Sequence, residues 1–480
     1  MLSLSLIVFG LAAGLGLLTI RLFISYLRLS KIPGPFAAKF TDLWRFRSQN
    51  TAGHAQRLVE LHRKHGKLVR LGPNHVSISD PSAISTVYSI SPTWVKGPSY
   101  YGAMPISKNG PVPSIISMSE AQHTAVRKSV GRGFTTNSLL DYESCIETSC
   151  YELIDILKSR AQVDINEWLQ LFAMDMIIRI AFTDSLGMLT HGKDVDGSLA
   201  AVMDRFDHWG QWGAVPSLDY ALNKSRLATM LRGARSSPLA RVAQERLAVR
   251  RADKAQNQFK DLCSKVLDGQ QKSQLLRDDD VLGIIMSTIG AGADTTAATL
   301  TYTVYFLSKY SLARKRLRQE IDECLAAGTL SPLPKWNEVS KMEYLDAVLK
   351  ESMRLCPVAS WGLDRVVAPE GATISGQFIP GGTVVGCQID AIHRDTGVFG
   401  ADAEIYRPER WLEAGEEQRR AMNRAFLAFS AGKRTCTGIH IAWLEMKKTL
   451  PLLMIHFDVR PQPIHTLCSA YTDWRDSSIS

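Results

Sequence analysis

The chain opens on an unbroken apolar run: residues 1–20 carry no charged side chain and consist mainly of Leu, Ile, Val, Phe, Ala and Gly. Twenty helical residues extend about 30 Å, the thickness of a bilayer's hydrocarbon core, so the run predicts a membrane-spanning helix. Arg21, Arg28 and Lys31 follow it and no basic residue precedes it. Positive charge on that side places everything after the helix on the cytoplasmic face. A cleaved signal peptide would carry a basic leader and a shorter apolar core. Lys31-Ile32-Pro33-Gly34-Pro35 comes next, and proline both fixes its own φ and biases its predecessor away from helix. The expected organisation is an anchor over 1–20, a basic, proline-rich hinge over 21–35, and one soluble domain over 36–480.

Within that domain, helix-compatible apolar spacing recurs over 141–158, 164–182, 279–309, 311–326, 341–355 and 439–457. Strand patterns are fewer. Residues 67–79 read as two short strands around Gly72-Pro73-Asn74, and a β-rich stretch covers 363–386. The fold class is mainly α with a minor β part. The longest helix pattern begins at Asp278-Asp279-Asp280, which supply its N-cap and first-turn negative charge. Its middle reads Gly290-Ala291-Gly292-Ala293-Asp294-Thr295-Thr296. Each interior glycine costs about 1 kcal/mol of helix stability. Two readings compete: a kinked core helix with a solvated Asp, or a groove where something large meets the backbone beside a proton donor. Pro451 predicts a local kink in the last helix.

Composition narrows the class. Of 480 residues, 45% are apolar and 21% charged, which excludes a disordered, collagen-like or polytopic membrane chain. The 56 Lys and Arg against 47 Asp and Glu leave a net +9, which suggests nucleic acid, a lipid surface or an acidic protein as partner. The excess is concentrated: residues 224–260 hold ten Lys or Arg and only Glu245 and Asp253 as acids. The eight cysteines form no Cys-x-x-Cys pair, as expected of reduced thiols on the cytosolic side.

One cysteine stands apart from the usual buried thiol. Residues 429–438 read Phe-Ser-Ala-Gly-Lys-Arg-Thr-Cys-Thr-Gly, just before the final helix pattern. A helix N-terminus and the nearby Arg434 both favour a thiolate at Cys436, and glycines on either side leave room for a flat cofactor. Phe429-x-x-Gly432-x-Arg434-x-Cys436-x-Gly438 resembles the haem-binding signature of the cytochrome P-450 superfamily. Three further motifs follow the family's order: Ala291-Gly292-x-Asp294-Thr295-Thr296, Glu351-x-x-Arg354, and Pro408-Glu409-Arg410-Trp411. The likeness covers the whole chain, anchor included.

The resemblance implies a single large P-450 fold behind the anchor, with haem b bound through Cys436 as axial thiolate. It implies that Phe429 and Gly432 pack around the ligand loop, and that Arg434 and Arg365 meet haem propionates. His123-x-x-x-Arg127 stands where many members carry Trp-x-x-x-Arg. Positions i and i+4 share a helix face, so both can reach one propionate. Thr295 is expected to hold a water and hydrogen-bond the reacting oxygen while Asp294 relays protons. Glu351, Arg354 and Arg410 are expected to form a buried structural triad. Electrons would come from NADPH through a cytochrome reductase, with cytochrome b5 as a second donor. The implied location is the endoplasmic reticulum membrane, single-pass, with the catalytic domain facing the cytoplasm.

The implied substrate is a lipophilic small molecule bound among parts of 100–118, 286–294, 358–363 and 467–472, including Tyr100, Tyr101, Ile115, Ile116, Val358, Trp361 and Leu363. Segments around 398–411 and 77–81 resemble fungal members, notably the pisatin-demethylase-like group, which typically tailor secondary metabolites. The leading expectation is a haem-thiolate monooxygenase. Its alternatives are the same chemistry ending in desaturation, ring formation or oxidative coupling, and, more remotely, a non-catalytic membrane-anchored basic binding protein. No nucleic-acid motif accompanies the charge, so nucleic acid is not an expected partner. Two basic surfaces are expected instead: anionic lipid under 224–260, and the reductase at Lys433, Arg434, Lys447 and Lys448 near Cys436.

Overall fold

The computed structural model describes residues 2–90, 94–104, 106–107, 110–111, 114–232, 237–252, 260–273, 276–360 and 362–460. The first helix spans Leu2–Arg28, eight residues past the expected end of the anchor. Residues 21–28 contain neither Gly nor Pro, so nothing stops the helix there. The expected hinge shortens to 29–35, and this segment is docked onto the body. Leu29 and Ile32 are buried. The buried Arg70 guanidinium donates to the carbonyls of Ser25, Tyr26, Lys39 and Pro73. A Cβ on Gly34 would lie 2.2 Å from the Arg70 carbonyl oxygen, so only glycine allows so close an approach.

The two β-rich stretches, far apart in sequence, form one four-stranded sheet. Its order is Leu68–Gly72, His75–Ile78, Val384–Cys387, Arg365–Val366. The middle pair is parallel, with His75 opposite Val384 and Ile78 opposite Cys387, and the outer pairs are antiparallel. Ala372–Ile374 and Gln377–Ile379 make a separate ribbon. One apolar cluster packs under this sheet and a larger one fills the helical body.

The helices follow the apolar spacing closely: Thr136–Lys158, Ile165–Phe182, Asp278–Lys309, Ser311–Ala326, Glu343–Leu355 and Ile439–His456. At the head of the central helix, Asp278–Lys309, the N-cap is Arg277 rather than an aspartate. The Asp280 carboxylate reaches back to accept from the Arg277 backbone N–H at 2.9 Å. This helix is also long and apolar enough to cross a membrane, yet 56% of its apolar window is buried, which makes it the core helix. A Cβ on Gly292 would come within 2.9 Å of Ile177 Cγ1. Gly292 thus serves helix packing, and the helix runs on without a break. The last helix likewise continues through the buried Pro451.

The Glu343–Leu355 helix carries Glu351 and Arg354, both 0% exposed. Arg354 donates to both Glu351 oxygens at 2.8 and 2.9 Å, and Arg410 Nε donates to Oε1 at 2.9 Å. Burial raises the carboxyl's pKa, but Arg354 and Arg410 outweigh it and hold the group below its usual value. Both arginines direct other N–H groups to backbone carbonyls, those of His393 and Ala403 for Arg354 and of Asp402 and Ile405 for Arg410. Removing one charge from such a site leaves the others uncompensated, at about 3–5 kcal/mol. Glu351→Gln is therefore expected to lower the unfolding free energy by that order, read as a lower denaturant midpoint. An unaltered midpoint would mean that the carbonyls alone satisfy both arginines.

Candidate active site

The loop before the final helix is set by backbone geometry. Gly432 sits at φ +67°, and a Cβ there would lie 1.7 Å from the Tyr88 carbonyl oxygen. The turn Gly432–Arg434 follows, Thr435 Oγ1 donates to the Gly432 carbonyl, and Cys436 N donates to the Phe429 carbonyl at 2.9 Å. Phe429 packs on Trp443 with ring centroids 6.0 Å apart. Arg127, on the helix Glu120–Val130, donates Nη1 to the carbonyls of Lys433 and Thr435 at 3.0 and 3.1 Å. It braces the loop from outside.

Cys436 is exposed, yet burial is the main influence on its thiol and raises its pKa; the Gly438 N–H and Arg127 work the other way. Accessible and desolvated together describe a side chain that lines an internal hollow. The expectation that Arg434 favours the thiolate is not met. Its guanidinium is held by Glu120 at 2.8 Å and by the Met118 carbonyl at 2.7 Å, so most of its charge is neutralised inside the protein.

A cluster of cations lies beside this hollow. Lys96 Nζ donates to the Ile116 carbonyl at 2.6 Å and sits 4.0 Å above the Tyr100 ring. Its backbone bridges to Arg365. Arg365 donates to the carbonyls of Leu363 and Asp364 and lies over the Tyr88 ring. His123 is 3% exposed and its Nδ1 has no partner among the described residues. Burial, with Arg434, Arg127, Lys96 and Lys433, lowers its pKa to about 3, so the ring is neutral. Burial, Arg434 and Arg365 push Lys96 well below the usual lysine value, and Glu120 opposes them. Cations crowded in a dry corner with a single carboxylate call for an anionic ligand. The two carboxylates of haem fit, so these residues pass as a haem site. Lys96 and Glu120 were not foreseen, since neither carries a local motif and only the fold brings them to Arg365 and Arg434.

On the central helix, Thr295 Oγ1 donates to the Ala291 carbonyl one turn back at 2.7 Å. Burial, then Asp207, raises the Asp294 pKa, which favours the proton-carrying form. Gly290 and Ala291 line a pocket with Ala103, Ile116, Phe206 and Met286. The 100–118 and 286–294 segments therefore contribute as expected. The helix Ser198–Trp212 forms a wall that was not anticipated. Tyr101 is exposed and Tyr100 lines a neighbouring cavity. Val358 and Leu363 do not line this pocket. Trp361 and 467–472 lie outside the described residues.

Comparison with known proteins gives the same picture. The cytochrome P450 family model matches residues 37–477. The chain belongs to the cytochrome P450 family. It is 35% identical over 456 residues to a cytochrome P450 monooxygenase of Aspergillus terreus, covering 92% of this chain and 93% of the relative. It is 34% identical to cytochrome P450 monooxygenase cicH of Emericella nidulans, covering 90% and 88%. To cytochrome P450 monooxygenase mfmA of Annulohypoxylon moriforme it is 31% identical, covering 94% and 91%.

This P450 does not present its basic residues as the linear count implied. Lys448 is 0% exposed and bridges Glu143 and Glu147, and Lys447 is buried against Asp346. With Arg434 on Glu120, three of the four cations expected to meet a reductase are internal. In 224–260 Lys224 is buried on Asp219 and Arg250 on Asp261, while Arg246 meets Asp184, Arg251 meets Asp278 and Lys260 meets Asp141 nearer the surface. Every one of these acids lies outside 224–260 in sequence. Arg235 and Lys254 fall outside the described residues.

Glu445, on the final helix, is a buried partner of the central helix at Thr296 that the sequence alone did not reveal. Its Oε2 accepts from Thr296 Oγ1 at 2.9 Å, its Oε1 has no partner among the described residues, and burial pushes its pKa to about 8. From the unfolded value of 4.5 up to about 8, the unfolded chain loses this proton while the native state keeps it. Stability therefore falls with rising pH across that window, by up to roughly 1.4 kcal/mol per unit. Glu445→Gln removes the dependence, so its unfolding midpoint should gain on the wild type between about pH 5 and pH 8. A constant difference would show that Glu445 is ionised in the native state.

Proposed function

We propose that this P450 is a haem-thiolate monooxygenase that oxidises a lipophilic small molecule, as a tailoring step in secondary metabolite biosynthesis. The observation that carries the reading is an accessible cysteine on a braced loop beside a dry, cation-rich corner. Cys436 would ligate the iron of haem b, and Arg365, His123, Lys96 and the remaining N–H groups of Arg434 would receive its propionates. Arg127 positions the loop, and Phe429 and Gly432 set its shape. Bound there, haem supplies the reductive activation of O₂ that no side chain provides. The chain's own part is to hold an apolar pocket over Gly290–Ala291 and to bring protons to it through Asp294 and Thr295. Glu351, Arg354 and Arg410 act on structure.

Electrons come from NADPH through a separate reductase, with cytochrome b5 as a further donor. With Arg434, Lys447 and Lys448 internal, docking on this side relies on the half-buried Lys433 and on the exposed Lys128 of the neighbouring helix. The protein is anchored in the endoplasmic reticulum membrane by its first helix, whose 27 residues extend about 40 Å. Two exposed apolar segments support contact with the bilayer: Phe36 and Leu43, and Leu227, Met230 and Leu231. The regions that carry them are joined by Arg45 donating to the Ala214 carbonyl and by Phe46 packing on Trp212. Apolar contact would add to the anionic-lipid surface expected under 224–260, where Arg226, Arg241 and Lys260 are exposed.

The reduced carbon monoxide complex tests the ligand: a red-shifted Soret band is expected, and a histidine-type band would refute the reading. Cys436→Ala should lose that band. Thr295→Ala should keep haem while releasing more peroxide per NADPH, and unchanged coupling would remove Thr295 from the proton path. Label from ¹⁸O₂ should enter the product; its absence would favour desaturation or coupling.

A further inference from the structure

A single cation lines the pocket at Gly290 and Ala291 among the described residues: Arg205, on the wall helix Ser198–Trp212. No acid lines it among those residues, and most of the lining is apolar, including Ile116, Val202, Phe206, Leu239 and Met286. Arg205 Nε and Nη2 both donate to the Ala103 carbonyl, at 3.2 and 2.7 Å. That carbonyl takes up one edge of the planar guanidinium. The outer edge, formed by Nη1 and Nη2, meets no acceptor among the described residues. Asp204 and Asp207, the acids of the same helix, are exposed. Burial alone shifts the Arg205 pKa, and the shift is downward. The side chain is therefore a desolvated cation without a counter-ion among the described residues.

Its surroundings add positive charge. Lys224 is 3% exposed, lies 2.9 Å from Asp219, and donates to the carbonyls of Tyr101 and Gly102 at 2.6 and 2.8 Å. Burial lowers the Lys224 pKa, Asp219 opposes it, and the nearby Arg205 charge adds to it. His208 Nε2 meets the other Asp219 oxygen at 2.9 Å. The buried carboxylate of this corner is thus committed to Lys224 and His208. The turn Pro98–Ala103 holds both cations through three successive carbonyls, and Trp209 Nε1 donates to its Ser99 carbonyl at 2.9 Å. A Cβ on Gly102 would come within 2.8 Å of Trp209 Cδ1, so turn and wall are closely fitted and Arg205 is fixed before any ligand arrives. A cation desolvated among apolar side chains costs stability until an anion pairs with it.

We propose that Arg205 receives the carboxylate of an otherwise apolar substrate whose body packs on Val202, Phe206 and Met286. The proposal rests on the monooxygenase reading and names the substrate class for it. Two parallel N–H groups match the two oxygens of a carboxylate. A carboxylate also brings the single negative charge that one guanidinium neutralises, whereas a phosphate monoester brings more. The charged hydrogen bonds favour the acid over a neutral molecule of the same shape by about tenfold.

The test titrates the holoenzyme calorimetrically with adamantane carboxylate, its neutral near-isostere adamantyl methyl ketone, and adamantyl phosphate. The carboxylate is expected to bind about tenfold tighter than the ketone. Arg205→Met should abolish that preference and leave the ketone's affinity in place. Arg205→Lys, which keeps the charge and loses the fork, should retain part of it. Phe206→Ala should weaken carboxylate and ketone alike. Equal binding of the two by the wild type, no binding of either, or a preference that survives Arg205→Met would overturn the proposal and leave Arg205 a clamp for the turn. Tightest binding by the phosphate would overturn it in favour of a dianion site. Where Arg205→Met loses the ketone as well, Arg205→Lys decides, and equal binding of carboxylate and ketone there overturns the proposal. The carbon monoxide complex of the same preparation separates the two readings. A histidine-type band refutes the monooxygenase, whereas the carboxylate preference reports on Arg205 by itself.

Discussion

The Glu351 carboxylate accepts five hydrogen bonds, from Arg354 twice, Arg410, Trp411 Nε1 and the Arg407 backbone N–H. That one ionised group ties the Glu343–Leu355 helix to Arg407, Arg410 and Trp411 of a later segment. The connection continues: His393 Nδ1 meets the Arg354 carbonyl at 3.0 Å, and His393 Nε2 accepts from the Leu427 N–H at 2.8 Å. Burial lowers the His393 pKa to about 3, and a neutral ring is what accepting from Leu427 requires. Leu427 stands two residues before Phe429, where the ligand loop begins. The position of Cys436 therefore depends, through a short chain of hydrogen bonds and backbone, on the charge of a carboxyl that touches no substrate.

Two buried ionic corners behave in opposite ways. Around Glu351 the arginines, carbonyls and indole satisfy one another's donors and acceptors. Around Lys96, Arg365 and His123 they do not: an imidazole nitrogen is left without a partner among the described residues, and an ammonium rests on a ring face and one carbonyl. The first corner is complete as protein, and the second becomes complete with an anion. The difference separates a structural ion cluster from a binding site without reference to motif.

What was legible in the sequence was whatever short spacing encodes. The Cys436 loop, the Glu351 and Arg354 pair and most helix limits of the body follow from residues within a few turns of one another. Long-range pairing was not legible. Lys447 and Lys448 look like surface cations until Asp346, Glu143 and Glu147 arrive from other helices. Lys96 gains its setting only when its backbone bridges Arg365, far along the chain. The docked connector at 29–35 depends likewise on Arg70 beneath it. The Ser198–Trp212 wall was hidden because it carries no motif and its apolar stripe, Leu199, Val202, Phe206 and Trp209, does not say what it faces; the fold alone turns it toward the pocket.

The contact between Gly432 and Tyr88 reaches further than the loop. The Tyr88 hydroxyl accepts from the Cys387 backbone N–H in the sheet, and its ring lies under Arg365. Its main chain meets the ligand loop at a separation that admits no side chain. Tyr88 is thus a spacer between two parts of the molecule that fold from distant sequence. Any atom added at 432 would be felt as a displacement of the sheet and of Arg365, so the loop and the cation-rich corner are held in register by a single backbone clearance.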